Sequence, residues 1–294
     1  MHTLDYPTLS RLAAGRPCAD VPCPVCSPLR STPANRRKPV LAIWSSPGFA
    51  TYCCAHCGAR GWARDDAAPR LDHDALARLR EAARRKARED DAAAIRAARG
   101  LYWRSDPITP GTPAWRYLRD MRGYAGPIPA TMRCLPATRQ FPPALLVAAG
   151  VPNEPEPGVL ELPIYQVRAV QLVRLTPDGR KVDDGPAKIT RGRLRGSPMV
   201  IAPMNDGLGL WITEGPENAL SLAASYEVGI WASGGKSFLP ALAPVVPAWV
   251  DCVRVVADDD ETGEGERCAR ELVTALGERG IYGELTFGER RAAA

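Results

Sequence analysis

The sequence has no uninterrupted apolar stretch of about 18 residues, so no membrane-spanning helix is expected. Met1 to Ser10 holds no basic segment followed by an apolar run, so a secretory signal is not expected either. No internal repeat is evident, which argues against a solenoid or propeller. Neither charge dominates: 38 Lys and Arg face 33 Asp and Glu, leaving a net charge of +5. With so small an excess, the placement of charge matters more than its total. Basic residues concentrate in 78–104 and 188–195. Acidic ones cluster at Asp258, Asp259, Asp260, Glu261, Glu264 and Glu266. A basic surface beside an acidic cluster suits an enzyme acting on polyanions, although each basic run is equally compatible with a solvated helix face.

Cysteine is the first positive signal. Six of the nine lie within the first 57 residues. Without a secretory signal the expected compartment is the reducing cytoplasm, where paired cysteines bind metal more often than they form disulfides. The pairs are Cys23-Pro24-Val25-Cys26 and Cys54-Ala55-His56-Cys57, with 27 residues between Cys26 and Cys54. A two-residue spacer lets one tight turn aim both sulfurs at one ion. Four thiolates then close a tetrahedral zinc site of the structural kind. A hairpin is expected between the pairs, with arms Val40–Trp44 and Phe49–Cys53 around Ser45-Ser46-Pro47-Gly48. Such a short domain needs its metal to fold. Trp44, Phe49, Tyr52 and Trp62, with Arg36, Arg37, Lys38 and Arg60, mix stacking groups with cations as single-strand binders do. A small aromatic core is the competing reading.

Beyond the ribbon, residues 72–99 lack Gly and Pro and are rich in Ala, Arg, Glu and Asp, which predicts a helix. Its weak apolar stripe suggests a bridge between domains. Residues 107–158 are rich in Pro and Gly, with a short helix expected over Thr112–Met121, capped by Thr112 and opened by Pro113. Val159–Tyr165 and Ala169–Thr176 read as strands, the second followed by a Pro177-Asp178-Gly179 turn. From residue 208 the pattern alternates. Strands are expected at Leu208–Thr213, Val228–Ala232, Val253–Ala257 and Tyr282–Phe287, with helices at Pro216–Ser225 and Glu264–Arg279. Predominantly apolar strands alternating with helices imply an α/β fold with a mainly parallel sheet covered on both faces.

Glu214 follows the first of these strands, and Asp258 and Asp260 follow the third. In parallel sheets the carboxyl ends of strands form the ligand crevice. Carboxylates gathered there repel one another unless a cation intervenes, and hard oxygen ligands suit Mg²⁺ or Mn²⁺. The plainer alternative is loop and helix-start acidity.

Together these segments carry a family resemblance. Ile212-Thr213-Glu214-Gly215-Pro216-Glu217-Asn218-Ala219-Leu220 resembles the first Toprim motif, an apolar strand followed by Glu-Gly. Val255-Val256-Ala257-Asp258-Asp259-Asp260-Glu261-Thr262-Gly263 resembles the second, Asp-x-Asp followed by Gly. Trp231-Ala232-Ser233-Gly234-Gly235 resembles the loop after the second Toprim strand. With the ribbon, and with Leu160–Tyr165 and Pro186–Thr190 resembling the subdomain that precedes Toprim, the chain is similar to bacterial and phage primases. Two departures are visible. Many primase zinc sites use a His with three Cys, whereas four Cys stand here, and no helicase module is expected after the Toprim-like segment. Gly234-Gly235-Lys236-Ser237 is not a phosphate loop, because a Walker motif needs Gly where Ile230 stands.

The resemblance implies a zinc ribbon over 16–66, a basic helical linker over 67–99, an α+β primase-like subdomain over 100–204 and a Toprim domain over 205–290. It implies primer synthesis on single-stranded DNA from nucleoside triphosphates. Glu214, Asp258 and Asp260 would be catalytic and hold Mg²⁺ or Mn²⁺, and Cys23, Cys26, Cys54 and Cys57 would hold zinc. Lys188, Arg191, Arg193, Arg195, Trp44 and Arg60 would contact nucleic acid or nucleotide. A separate replicative helicase is an expected partner. A Toprim nuclease using the same carboxylates, or a non-catalytic DNA-binding accessory protein, remains open at this point.

Overall fold

A computed structural model describes residues 4–67, 73–154, 158–258 and 263–287, apart from the side chains of 73, 75 and 76. The chain divides into two compact units, Met1–Ala83 and Arg84–Ala294. No helix among the described residues is long and apolar enough to cross a membrane.

The first unit is built on a four-stranded antiparallel sheet in the order β1 (Cys18–Val21), β2 (Leu41–Ser46), β3 (Phe49–Cys54), β4 (Arg60–Arg64). The expected hairpin is β2–β3, closed by Pro47 and Gly48, the latter at φ 75° where glycine is at ease. Alternation along these strands splits the sheet into two faces. Ala19, Val21, Leu41, Ile43, Ala50, Tyr52 and Cys54 face a core shared with Leu9 and Ala13 of helix α1 (Tyr6–Ala13). Asp5 caps α1 by accepting the Thr8 amide at 2.9 Å. A short helix α2 (Pro33–Arg36) lies between the cysteine pairs, capped by Thr32.

Helix α3 (His73–Trp103) runs from the first unit into the second. Its side chains are exposed through Ala77–Asp90, as a helix with few large apolar residues must be. Burial begins near its end, where Ala98 packs with Leu146, Ala148, Val167 and Val170.

The second unit holds two sheets. The first is antiparallel, in the order β5 (Met132–Leu135), β6 (Ala144–Ala149), β7 (Ala169–Arg174), β8 (Lys188–Gly192). Ahead of it, Thr112 caps helix α4 (Pro113–Arg116) by accepting the Trp115 amide at 3.2 Å, and the chain continues as one wider turn over Tyr117–Met121. The second sheet has the order β13 (Tyr282–Phe287), β12 (Cys252–Ala257), β10 (Gly209–Thr213), β11 (Gly229–Ala232), β9 (Met199–Ala202). Its first four strands run parallel, and β9 pairs antiparallel to β11. Helix α5 (Pro216–Ala223), the 3₁₀ segment Lys236–Val245 and helix α6 (Glu264–Gly277) form the three crossovers.

One apolar core joins the two sheets: Leu145, Val147 and Val173 of the first pack with Met199, Ile201, Ile230 and Ala232 of the second. The other face of the parallel sheet packs Val253, Val255 and Ile212 against Cys268, Leu272 and Leu276 of α6. Val159–Tyr165 departs from the expected strand. Glu161 makes a lone bridge to Asn153, and Ile164–Gln166 is a 3₁₀ turn. Pro163 cannot donate to a ladder.

Candidate metal centres and nucleic-acid surface

The four expected zinc ligands meet. Their sulfurs all lie within 4.8 Å of one another. Cys23 Sγ is 4.0 Å from Cys57 Sγ, and Cys26 Sγ is 3.8 Å from Cys54 Sγ. A tetrahedron with metal–sulfur bonds of about 2.3 Å has edges of about 3.8 Å, so the pocket fits zinc. The Cys57 amide donates to Cys54 Sγ at 3.5 Å, as expected of a knuckle turn. Burial and the neighbouring thiols push the Cys26 thiol up to about 12. Burial also raises Cys54, but the amides of Cys57 and His56 outweigh it and hold that thiol at about 7. Four sulfurs this close cannot all ionise without a cation among them. Cys18, Cys53 and His56 are exposed and lie outside the cluster.

The outer face of the same sheet carries the expected aromatic residues. Register places Trp44, Thr51 and Trp62 side by side across β2, β3 and β4, with Cys53 and Arg60 paired in one flanking row and Phe49 and Arg64 in the other. Trp44 and Trp62 are 49% and 63% exposed, too open to be a core. The Phe49 and Trp62 rings stack with centroids 6.0 Å apart. Tyr52 does not join this face. Its ring is in the core, its hydroxyl accepts the Leu4 amide at 3.2 Å, and Gly61 opposite leaves it room that a Cβ would fill.

In the second unit the parallel sheet reverses direction at β10: the chain goes to β11 on one side and to β12 on the other. Such a switch point opens a crevice at the carboxyl end of the strands. Glu214 follows β10 and Asp258 follows β12, so both stand at that end. They meet there, with the Asp258 amide donating to Glu214 Oε1 at 3.2 Å. Glu214 is 8% exposed, whereas Asp258 is open to solvent. Asn218, in the first turn of α5, donates to Asp258 Oδ1 at 2.6 Å. Nothing local in the sequence marks Asn218 for this role. It is recognisable only once α5 is known to start beside β12. Asp260, the third expected carboxylate, lies outside the described residues.

The loop after β11 braces this junction. Ser233 is fully buried, its amide donates to Thr213 O at 3.0 Å, and its hydroxyl to Glu214 O at 3.3 Å and Gly235 O at 3.0 Å. Gly234, at φ 79°, packs where a Cβ would stand 2.6 Å from Leu194. Lys236 pairs with Glu264 at 2.9 Å, tying this loop to the start of α6. The donor set is two hard carboxylates, one fixed and one accessible, which suits a hydrated divalent cation.

Glu217 is engaged elsewhere. Its Oε1 pairs with Arg122 at 2.7 Å and Lys181 at 2.8 Å and accepts the Tyr117 hydroxyl, while Oε2 pairs with Lys188. Burial pushes this carboxyl up, but the bonds from Lys181, Lys188 and Tyr117 outweigh it and hold it far below its ordinary value. Lys188 is thus held by a carboxylate in this structure. Arg193 likewise pairs with Asp91 at 2.8 Å. Arg191 and Arg195 are exposed, the first on the edge strand β8 and the second just beyond it.

No family model matches the chain, and no curated protein matches it. Among solved structures it is similar to the zinc-binding and RNA polymerase domains of the Aquifex aeolicus primase, with 14% identity, 92% of this chain and 73% of that chain covered, and a TM-score of 0.39. It is also similar to the E. coli primase catalytic core, with 16% identity, 52% and 49% covered, and a TM-score of 0.35. A DNA primase domain from Pseudomonas aeruginosa is similar at 14% identity, with 42% and 39% covered and a TM-score of 0.31. The chain spans less than half the length of these last two structures.

Proposed function

We propose that this chain is a Toprim primase of the bacterial or phage type, a nucleotidyltransferase that makes short primers on single-stranded DNA. The observation that carries the reading is the junction of Glu214 with Asp258 at the switch point of the parallel sheet. Glu214, Asp258 and Asp260 would hold Mg²⁺ or Mn²⁺, which when bound would neutralise the phosphates of a nucleoside triphosphate. The chain's own part is positional. Buried Glu214 holds the Asp258 amide, and so fixes where the loop leaves β12. Asn218 orients the Asp258 carboxylate by donating to its Oδ1. Ser233 locks the backbone of Glu214. Arg191 and Arg195 are open to template or triphosphate oxygens. Lys188 would add to them on exchanging Glu217 for a phosphate. In the ribbon, Trp44, Phe49 and Trp62 would stack bases while Arg60 meets the backbone. A replicative helicase is the partner such an activity calls for, and the cytoplasm its place.

The test incubates the purified chain with single-stranded DNA, labelled nucleotides and Mg²⁺ or Mn²⁺. New short oligomers support the proposal, whereas shortened DNA would make the chain a nuclease. Asp258→Ala is expected to lower primer synthesis by roughly a hundredfold or more while single-strand binding and melting temperature stay within error, because several kcal/mol of charge stabilisation are lost at an exposed residue. A parallel loss of folded protein would assign Asp258 a structural role instead.

A further inference from the structure

A cavity of about 200 Å³ lies at the amino end of the parallel strands, opposite to the carboxylates. Val245, Pro247 and Trp249, which precede β12, form one wall, and Pro152, Asn153 and Glu154, which follow β6, form another. Trp231 of β11 lines it as well.

Two polar atoms here have no partner among the described residues. Trp231 is fully buried, and its indole Nε1–H meets no acceptor. Glu154 spends Oε2 on the Met204 amide at 3.3 Å, while its Oε1 is buried without a donor. Burial pushes the Glu154 carboxyl above its ordinary value, and only the Met204 bond opposes this. Buried donors and acceptors are normally paired, so both groups call for a ligand or for solvent.

Their combination is selective. An ammonium or guanidinium would satisfy Glu154 but present a donor to the indole. A phosphate or carboxylate would satisfy the indole but repel Glu154. The fitting ligand carries an acceptor beside donors on one edge. Trp249, 40% exposed on the wall, adds a surface for stacking a flat ring. Among nucleobases, guanine matches this set. Its N1–H and N2–H can both donate to one carboxylate, as its O6 accepts from a donor alongside. Adenine and cytosine offer a single amino donor next to acceptors, and uracil a single N–H between two acceptors.

We infer that this cavity binds a guanine base, held by Glu154 and Trp231 and stacked on Trp249. The site uses neither Glu214 nor Asp258, so it stands or falls independently of the metal-dependent reading. A guanine could come from a free nucleotide or from an unpaired position in a strand.

The test titrates the full zinc-loaded chain with GMP, AMP, CMP and UMP in magnesium-free buffer, using calorimetry. Guanine-rich and guanine-free single-stranded oligonucleotides are titrated in parallel. Saturable one-to-one binding of GMP, roughly tenfold or more tighter than AMP, is expected. Glu154→Gln and Trp249→Ala should each weaken it by roughly tenfold, with unchanged melting. Trp231→Phe keeps an aromatic ring and removes the donor, and should weaken GMP too. Asp258→Ala should bind GMP like the wild type, which separates this site from the carboxylate junction. Binding of GMP identifies a free nucleotide as ligand, and binding of the guanine-rich oligonucleotide alone identifies a strand. Equal binding of all four nucleotides, no saturable guanine binding in either arm, or affinity unchanged in both Glu154→Gln and Trp249→Ala would leave a water-filled cavity and overturn the inference.

Discussion

Replacing Glu217 by Gln tests the most heavily charged contact among the described residues of the second unit. The carboxylate stands among Arg122, Lys181 and Lys188, so three cations already share one anion. Gln keeps the shape and removes the charge, leaving all three uncompensated. Breaking a buried pair from one side costs about 3–5 kcal/mol. Glu217 keeps 20% of its side chain exposed and Lys188 keeps 40%, so solvent screens part of the repulsion. The expected cost is therefore about 2–3 kcal/mol. For a unit of roughly 200 residues that lowers the melting temperature by about 4–12 °C. The sign with pH follows from the depressed carboxyl. Its stabilisation is fully present above the ordinary value of 4.5 and is withdrawn as the pH falls toward the folded-state value. Melts of wild type and Glu217→Gln, followed by circular dichroism, should differ by a steady amount above about pH 5, and the gap should narrow progressively as the pH falls below 4.5 toward the folded-state value. Adding Lys188→Met to the variant should recover part of the loss. A gap under about 1 °C at neutral pH, or one that ignores pH, would refute the view of Glu217 as the anchor of these cations.

Other outcomes follow from the ribbon. Cys54→Ser should abolish binding of one zinc ion per chain and unfold Met1–Ala83, since structural zinc contributes on the order of 10 kcal/mol to such domains. The melt of Arg84–Ala294 should survive, and a retained β-sheet signal from the ribbon after zinc removal would count against the metal as its core. Trp62→Ala should weaken single-stranded DNA by about 1–3 kcal/mol, read as a fivefold to hundredfold rise in Kd, with zinc content unchanged. Unaltered affinity would return the aromatic face to a role in packing. Ala14 ends α1 at φ 52°, a left-handed conformation that costs a non-glycine residue about 1 kcal/mol. Ala14→Gly should therefore stabilise the first unit by up to about 1 kcal/mol in denaturant titration, and a loss would show that the capping geometry is not strained.

The parts legible in the sequence are those with a local signature. The two cysteine pairs declare their turns, and the β-branched and aromatic residues of Val253–Ala257 and Tyr282–Phe287 announce strands that β12 and β13 reproduce to within a residue. Glu214 and Asp258 are legible because each follows such a run. Strand β6 is not. Ala144–Ala149 is apolar throughout, lies in a Pro-rich stretch and favours helix by composition. It is a strand because it sits inside the antiparallel sheet, with Leu145 and Val147 in one core and Leu146 and Ala148 in another. A strand covered on both faces shows no alternation to read. The Glu217 cluster is equally hidden, since its partners at Tyr117, Arg122, Lys181 and Lys188 are scattered and only the tertiary fold gathers them. Tyr52 looked like a surface ring because its neighbours in β2 and β3 are, yet it falls on the inward phase of its strand.

The apolar core that the two sheets of the second unit hold in common makes them a single cooperative body rather than a pair of detachable modules. A fragment cut at residue 205 would forfeit β9 and bare Ala219, Leu220, Ile230 and Ala232 to water. Grafting the carboxylate-bearing half onto another scaffold would thus call for a substitute lining.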